Sequence, residues 1–220
     1  MILCLPILLG KYSLEVNRVI IRSKLLDIVS RPKSEVQETR VHIDDPSAVF
    51  ALTNELTCFL TNDIKKSPPV ILCIGTDRST GDSLGPLTGW RLHKLLYSKN
   101  VSVFGTIDQP VHAQNIHSVL SHIRETNTDR SMIAVDACLG QFPNVETILL
   151  EHKPLRPGSG VKKILPEVGD ISISGIVNTG GFMEIQVLQN TRLSIVMKMS
   201  HIIANSIFLA LQKTGMLNGD

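Results

Sequence analysis

The sequence predicts an α/β fold in three layers, α/β/α, with a mostly parallel sheet. Three observations carry this. Apolar runs suited to buried strands alternate with amphipathic stretches from residue 70 to residue 213. The connections between them are short, as in sheets layered between helices. The last amphipathic stretch repeats Val196, Met199, Ile203, Ile207 and Ala210 three or four apart, the stripe of a helix packed on a sheet.

Taken in order, residues 1–40 read as an extension. Residues 1–10 are almost wholly apolar but lack a basic leader, and about 20 apolar residues are needed to span a bilayer. They read as a short buried segment or as part of an extension ahead of the true start. Residues 31–40 are polar and read as a linker. Asp45-Pro46 is a helix start, and Val49, Leu52, Leu56, Phe59 and Leu60 follow at helical spacing. Lys65-Lys66-Ser67-Pro68-Pro69 ends that helix. Strands are then expected at 70–75, 101–106, 131–136, 145–152 and 170–177, with helices at 84–96 and 115–124. Residues 154–160 form a loop, and Asn178-Thr179-Gly180-Gly181 reads as a turn. Residues 182–190 suit neither period. The organisation expected is an extension (1–40), a single α/β domain (41–213) and a tail (214–220).

Composition narrows the function. Among 220 residues, Lys+Arg number 22 against 20 Asp+Glu, so no strong field draws the chain to nucleic acid or anionic lipid. Only six Phe, two Tyr and one Trp are present, too few for an extended stacking platform. Neither nucleic acid nor membrane is an expected partner. Cys4, Cys58, Cys73 and Cys138 have no zinc spacing, and Cys58 and Cys73 read as small core residues of a reduced, intracellular protein.

The chemistry concentrates at strand ends. The run Ile71-Leu72-Cys73-Ile74-Gly75 leads into Thr76-Asp77-Arg78-Ser79-Thr80-Gly81-Asp82-Ser83-Leu84-Gly85-Pro86, which opens a helix. Asp82 sits just before that helix N-terminus, where backbone N–H groups favour negative charge. The run Met132-Ile133-Ala134-Val135 ends in Asp136. As a helix cap Asp82 needs no further explanation, but capping leaves Asp136 unexplained. Strand-end loops at one sheet edge are where such folds bind ligands, and adjacent strands lie about 4.8 Å apart. Two carboxylates there can share a proton and activate water, or hold a divalent cation at Asp82 and Asp136. Spacing alone does not separate these. Asp108 and His112 follow the next strand and are candidates for a third metal ligand or a substrate contact, against the plainer reading of a capping acid and a surface histidine. Asn178, Thr179 and Gly180 are candidate oxyanion donors.

Two rival motifs are weaker. Gly75-x5-Gly81-Asp82-Ser83 is one residue too long for a phosphate loop and has an acid where that loop needs lysine. Gly81-Asp82-Ser83-Leu84 spells the signature of a family of serine esterases, with Ser83 as nucleophile. Those enzymes take their base from an Asp-x-x-His, whereas Lys198 stands three residues before His201. Cys138 beside Asp136 has no histidine nearby in sequence and reads as a packing residue.

The motifs around Asp82 and Asp136, with Gly105-Thr106-Ile107-Asp108-Gln109-Pro110-Val111-His112-Ala113 and Gly175-Ile176-Val177-Asn178-Thr179-Gly180-Gly181-Phe182-Met183-Glu184, closely resemble the YyaC family of proposed spore proteases. The resemblance covers residues 41–213. That family is similar to the germination protease of spore-forming bacteria and shares a phosphorylase/hydrolase-like fold with the hydrogenase maturation endopeptidases. The resemblance implies a sporulation-associated aspartic-type endopeptidase with Asp82 and Asp136 as its catalytic pair. Ser83, Asp108, His112, Asn178, Thr179 and Gly180 would contact a protein or peptide substrate. It implies the cytoplasm of a sporulating cell or the spore interior, and allows a homo-oligomer. Maturation endopeptidases bind metal through two carboxylates and a histidine. Asn178-Thr179 stands at the equivalent loop, so no cofactor is expected. The alternatives are a serine hydrolase of the esterase type and a spore protein that binds peptides without cutting them.

Overall fold

The computed structural model describes residues 38–63, 65, 67–97, 99–158 and 165–217. Most of the expected extension and Cys4 lie outside the described residues. Six strands form one sheet: β1 (Glu38–His42), β2 (Val70–Cys73), β3 (Val103–Phe104), β4 (Met132–Gly140), β5 (Thr147–Glu151) and β6 (Ile171–Thr179), in the order β1-β5-β6-β4-β2-β3. The helices are α1 (Ala48–Asn62), α2 (Leu84–Leu95), α3 (Ile116–Thr126), α4 (Glu184–Gln189) and α5 (Leu193–Lys213).

The sheet is mixed. β6, β4, β2 and β3 are parallel, while β5 runs antiparallel to both β6 and β1. The reversal at β5 follows from chain length. Between Gly140 and Thr147 lies only a 3₁₀ turn, Phe142–Asn144, with its flanks, and a parallel return needs a crossover of about a dozen residues.

Strand alternation sorts the core onto two faces. Ile71, Cys73, Ile133, Val135, Ile171 and Ile173 pack against α1, α2 and α5. Val70, Leu72, Ile74 and Ala134 pack against Ile116, Leu120 and Ile123 of α3. α5 is long and apolar enough to cross a membrane, but half of its apolar window is buried within the domain, with Val196, Met199, Ile203 and Ile207 in the core.

Several boundaries differ from expectation. The stretch read as a linker ends in strand, since β1 starts at Glu38. A deletion through residue 40 would therefore cut into the sheet. β3 is reduced to two residues. Asn178 and Thr179 belong to the end of β6 and not to a turn, because pairing with β4 continues past a bulge at Cys138/Leu139. Residues 184–189 are the short helix α4. Cys73 is a core residue, whereas Cys58 is only half-buried.

Two glycines let the loop after β2 fold back on that strand. A Cβ at Gly85 would lie 1.9 Å from the Ile74 carbonyl oxygen, and one at Gly75, whose φ is +141°, would lie 2.0 Å from the Asp82 carbonyl oxygen. Only glycine permits both approaches.

Candidate active site

The site forms where β2 stops and β4 does not. The last β2–β4 pair is Cys73 with Val135, and Ile74 N–H still donates to the Val135 carbonyl at 2.7 Å. The next residue of β4 is Asp136. This corrects the expectation that β4 leaves the sheet at Asp136: the strand continues to Gly140, paired only with β6. The departure of β2 is what opens space beside Asp136.

Past Gly75 the chain loops to a 3₁₀ turn, Gly81–Ser83, that carries Asp82 into the same space. Asp82 does not cap α2, whose N-terminus has no side-chain cap. The Thr76 backbone N–H instead donates to the Asp82 carbonyl oxygen at 3.2 Å, and its nearness to the carboxylate favours the charged form. A cavity of about 450 Å³ results, lined by Asp82, Asp136 and His112 together with Arg78, Cys138 and Glu184. A second cavity, about 530 Å³, also touches Asp136 and Cys138 and runs over Glu151, Ser172 and Ser174 on the sheet face. Asp136 stands between the two.

Both carboxyls hold protons more tightly than usual. Burial pushes Asp136 well above the ordinary carboxylate range, and the charge of Asp82 pushes it further. Its Oδ1 accepts the Ala137 N–H at 2.8 Å, which offsets part of this. Burial also raises Asp82, opposed by the Thr76 N–H and the charge of His112. Two nearby carboxyls with raised proton affinity cannot both ionise cheaply. Such an arrangement can serve as an acid and a base side by side.

The other expected contacts are placed differently. Ser83 is buried, its hydroxyl donates to the Thr80 carbonyl at 2.6 Å, and it does not line the cavity. Asp108 is exposed on its loop and outside the cavity lining. Asn178 donates from Nδ2 to Thr191 Oγ1 at 3.2 Å and accepts the Thr179 N–H at 2.8 Å, so its amide ties the end of β6 to the start of α5. Thr179 and Gly180 do not line the cavity either. Of the six expected contacts, only His112 joins the two aspartates there.

Cys138 does line the cavity, contrary to a packing role, but burial and the Asp136 charge push its thiol up to about 12. It is not a nucleophile near neutral pH. Sequence reasoning missed Arg78, Ser79, Glu184, Ile185 and Leu188. Ser79 carries a buried hydroxyl with no hydrogen-bond partner among the described residues. The usable signal was Glu184, an acid opening the stretch whose period was unresolved.

A divalent cation would need three or more donors converging. Among the described residues, only His42, Asp44 and Glu146 bring three potential ligand atoms within 4.8 Å of one another, and Lys198 pairs with Asp44 there. Asp82, Asp136, His112 and Glu184 line one cavity but do not meet that spacing. As placed, these four side chains do not bring three ligand atoms together, and the chemistry proposed below is written without a metal.

The fold and cavity define a class: an α/β domain with a coupled carboxylate pair at the carboxyl edge of a parallel sheet segment. The chain belongs to the family described as protein of unknown function DUF1256, whose model matches residues 40–206. It is 46% identical over 162 residues to the uncharacterized protein YyaC of Bacillus subtilis (strain 168), covering 72% of this chain and 78% of that one. A looser structural likeness, TM-score 0.44 at 14% identity, relates it to a [NiFe] hydrogenase maturation protease, HycI, from Thermococcus kodakarensis KOD1. That match covers 75% of this chain and 99% of the other.

Proposed function

We propose that the protein is an aspartic-type peptidase that hydrolyses peptide bonds through Asp82 and Asp136. The observation that carries this reading is the convergence of two carboxyls with raised proton affinity in one cavity beside an open strand edge. Asp136, the more strongly raised, holds the shared proton, and Asp82 is the base. Asp82 takes a proton from water as the water oxygen bonds to the scissile carbonyl carbon. Asp136 gives its proton to the carbonyl oxygen, leaving a neutral tetrahedral intermediate. Asp82 then passes its proton to the amide nitrogen as the C–N bond breaks. Asp136 recovers its proton as the carbonyl re-forms. General acid–base assistance of this kind contributes about 10²–10⁴-fold per group.

The motif resemblance points to a spore protein as substrate, acting in the cytoplasm of the sporulating cell or in the spore interior. The esterase alternative is disfavoured by Ser83, whose hydroxyl is committed to Thr80. The test is incubation of the full chain with a denatured spore-protein extract from pH 4 to 9, followed by mass spectrometry for new termini. Cleavage that survives chelators and serine-directed reagents is expected. Cleavage lost on chelation and restored by a divalent ion would make the carboxylates ligands. No new termini under any condition would leave a peptide binder without hydrolysis.

A further inference from the structure

The backbone of β4 bonds in alternation. Val70 N–H donates to the Ser131 carbonyl at 2.8 Å and Ile74 N–H to the Val135 carbonyl at 2.7 Å, so odd-numbered residues turn toward β2. Asp170 N–H donates to the Met132 carbonyl at 2.8 Å and Gly180 N–H to the Gly140 carbonyl at 2.8 Å, so even-numbered residues turn toward β6. Beyond Val135 there is no β2, and the odd-numbered Ala137 and Leu139 face the line it would have followed. The Ala137 N–H is taken by the Asp136 carboxylate. Among the described residues, the Ala137 carbonyl and the N–H and carbonyl of Leu139 have no backbone partner. Both residues are half-buried and line the cavity of the aspartate pair.

We propose that an extended segment of substrate polypeptide adds to this edge of β4 in the line of β2. Its main chain bonds to Ala137 and Leu139, and its scissile carbonyl reaches Asp82 and Asp136. This rests on the peptidase reading and names its substrate class. The edge offers one donor and two acceptors at strand spacing, the complement of a polypeptide backbone, and it is continuous with the catalytic cavity. Leu165, Ile185 and Leu188 wall that cavity, and Phe182, Met183 and Ile185 are 83%, 50% and 61% exposed at its α4 side. The site therefore takes unfolded segments or chain ends with an apolar side chain near the cut, and rejects folded surfaces whose backbone is already paired.

The test uses full-length, ¹⁵N-labelled Asp82→Asn protein, so that no probe is consumed. The probes are the blocked hexapeptide Ac-Ala-Ala-Leu-Ala-Ala-Ala-NH2, analogues with Leu replaced by Glu or Lys, and a series of the Leu peptide N-methylated at each amide in turn. A saturable shift of the Leu139 amide is expected, strongest with Leu. N-methylation should weaken binding tenfold or more at alternate positions and little between them. Absence of any saturable Leu139 shift at millimolar peptide, or an equal N-methyl effect at every position, overturns the proposal. If wild-type protein cleaves the spore extract while Leu139 stays silent, edge docking fails and the peptidase reading stands. A periodic N-methyl effect without cleavage has the opposite meaning.

Discussion

The two halves of β4 share one strand and do different work. Residues 132–135 lie between β2 and β6, hydrogen-bonded on both sides, with Ile133, Ala134 and Val135 at 1%, 0% and 0% exposure. Residues 136–140 keep β6 alone, and 137–140 are half-buried. The first half stabilises the domain. The second half holds a buried carboxyl that burial disfavours ionising, which is a cost to stability and an asset to proton transfer. Losing one neighbouring strand is what separates them.

The largest effect should come from the second half. Asp136→Asn and Asp82→Asn should each lower kcat by about 10³-fold or more, since each removes one member of the acid–base pair. Their circular dichroism spectra should match wild type. A variant retaining a tenth of the activity would remove that residue from the pair.

In the first half the sign of the effect is on folding. Ile133→Ala should cost about 2–5 kcal/mol in chemical denaturation, the usual range for truncating a buried isoleucine. Leu139→Ala in the half-buried edge should cost distinctly less. Equal costs would erase the comparison.

Asp136 itself sharpens it through pH. Its folded-state proton affinity is raised, so the folded protein binds this proton more tightly than the unfolded chain does. Stability from this group is full below the unfolded carboxylate range, near pH 4, and is lost as pH rises toward the folded pKa. Asp136→Asn should therefore melt higher than wild type at neutral pH. Each unit of upward displacement is worth about 1.4 kcal/mol, or about 3–6 °C in a domain of this size. The gain should shrink below about pH 4. A lower melting temperature at neutral pH would mean the carboxylate is stabilised in place.

The smallest effect is expected at Ser83. Ser83→Ala removes one hydrogen bond to the Thr80 carbonyl, worth about 1 kcal/mol, and should leave cleavage nearly unchanged. Loss of activity there would restore the esterase reading.

The sequence made the layered fold, the parallel segment and the aspartate pair legible, because strand periodicity and strand-end chemistry are local signals. Asp82 and Asp136 could be paired before their placement was known, since parallel strands put their carboxyl ends at one edge. The reversal of β5 was not read, though the short connection ahead of it implied one. The extension of β4 to Gly140 was invisible for another reason: it depends on continued pairing with β6, a contact across more than thirty residues. Asn178 shows the same limit. Its position after an apolar strand suggested a substrate contact, but whether its amide faces a cavity or Thr191 is settled only by tertiary packing. α4 lacks a clear period because, among its described residues, none is fully buried.

The coupling of the two carboxyls can be measured without knowing the substrate. Carbonyl ¹³C NMR of aspartate-labelled full-length protein, titrated from pH 3 to 9, follows Asp82 and Asp136 individually once each is assigned by its Asn variant. The pair should titrate in two separated steps, with Asp136 still protonated above the ordinary carboxylate range. In Asp82→Asn its midpoint should move down, because the neighbouring charge that raises it is gone. An Asp136 that titrates in the ordinary range, or that is indifferent to Asp82→Asn, would contradict the proton-sharing pair.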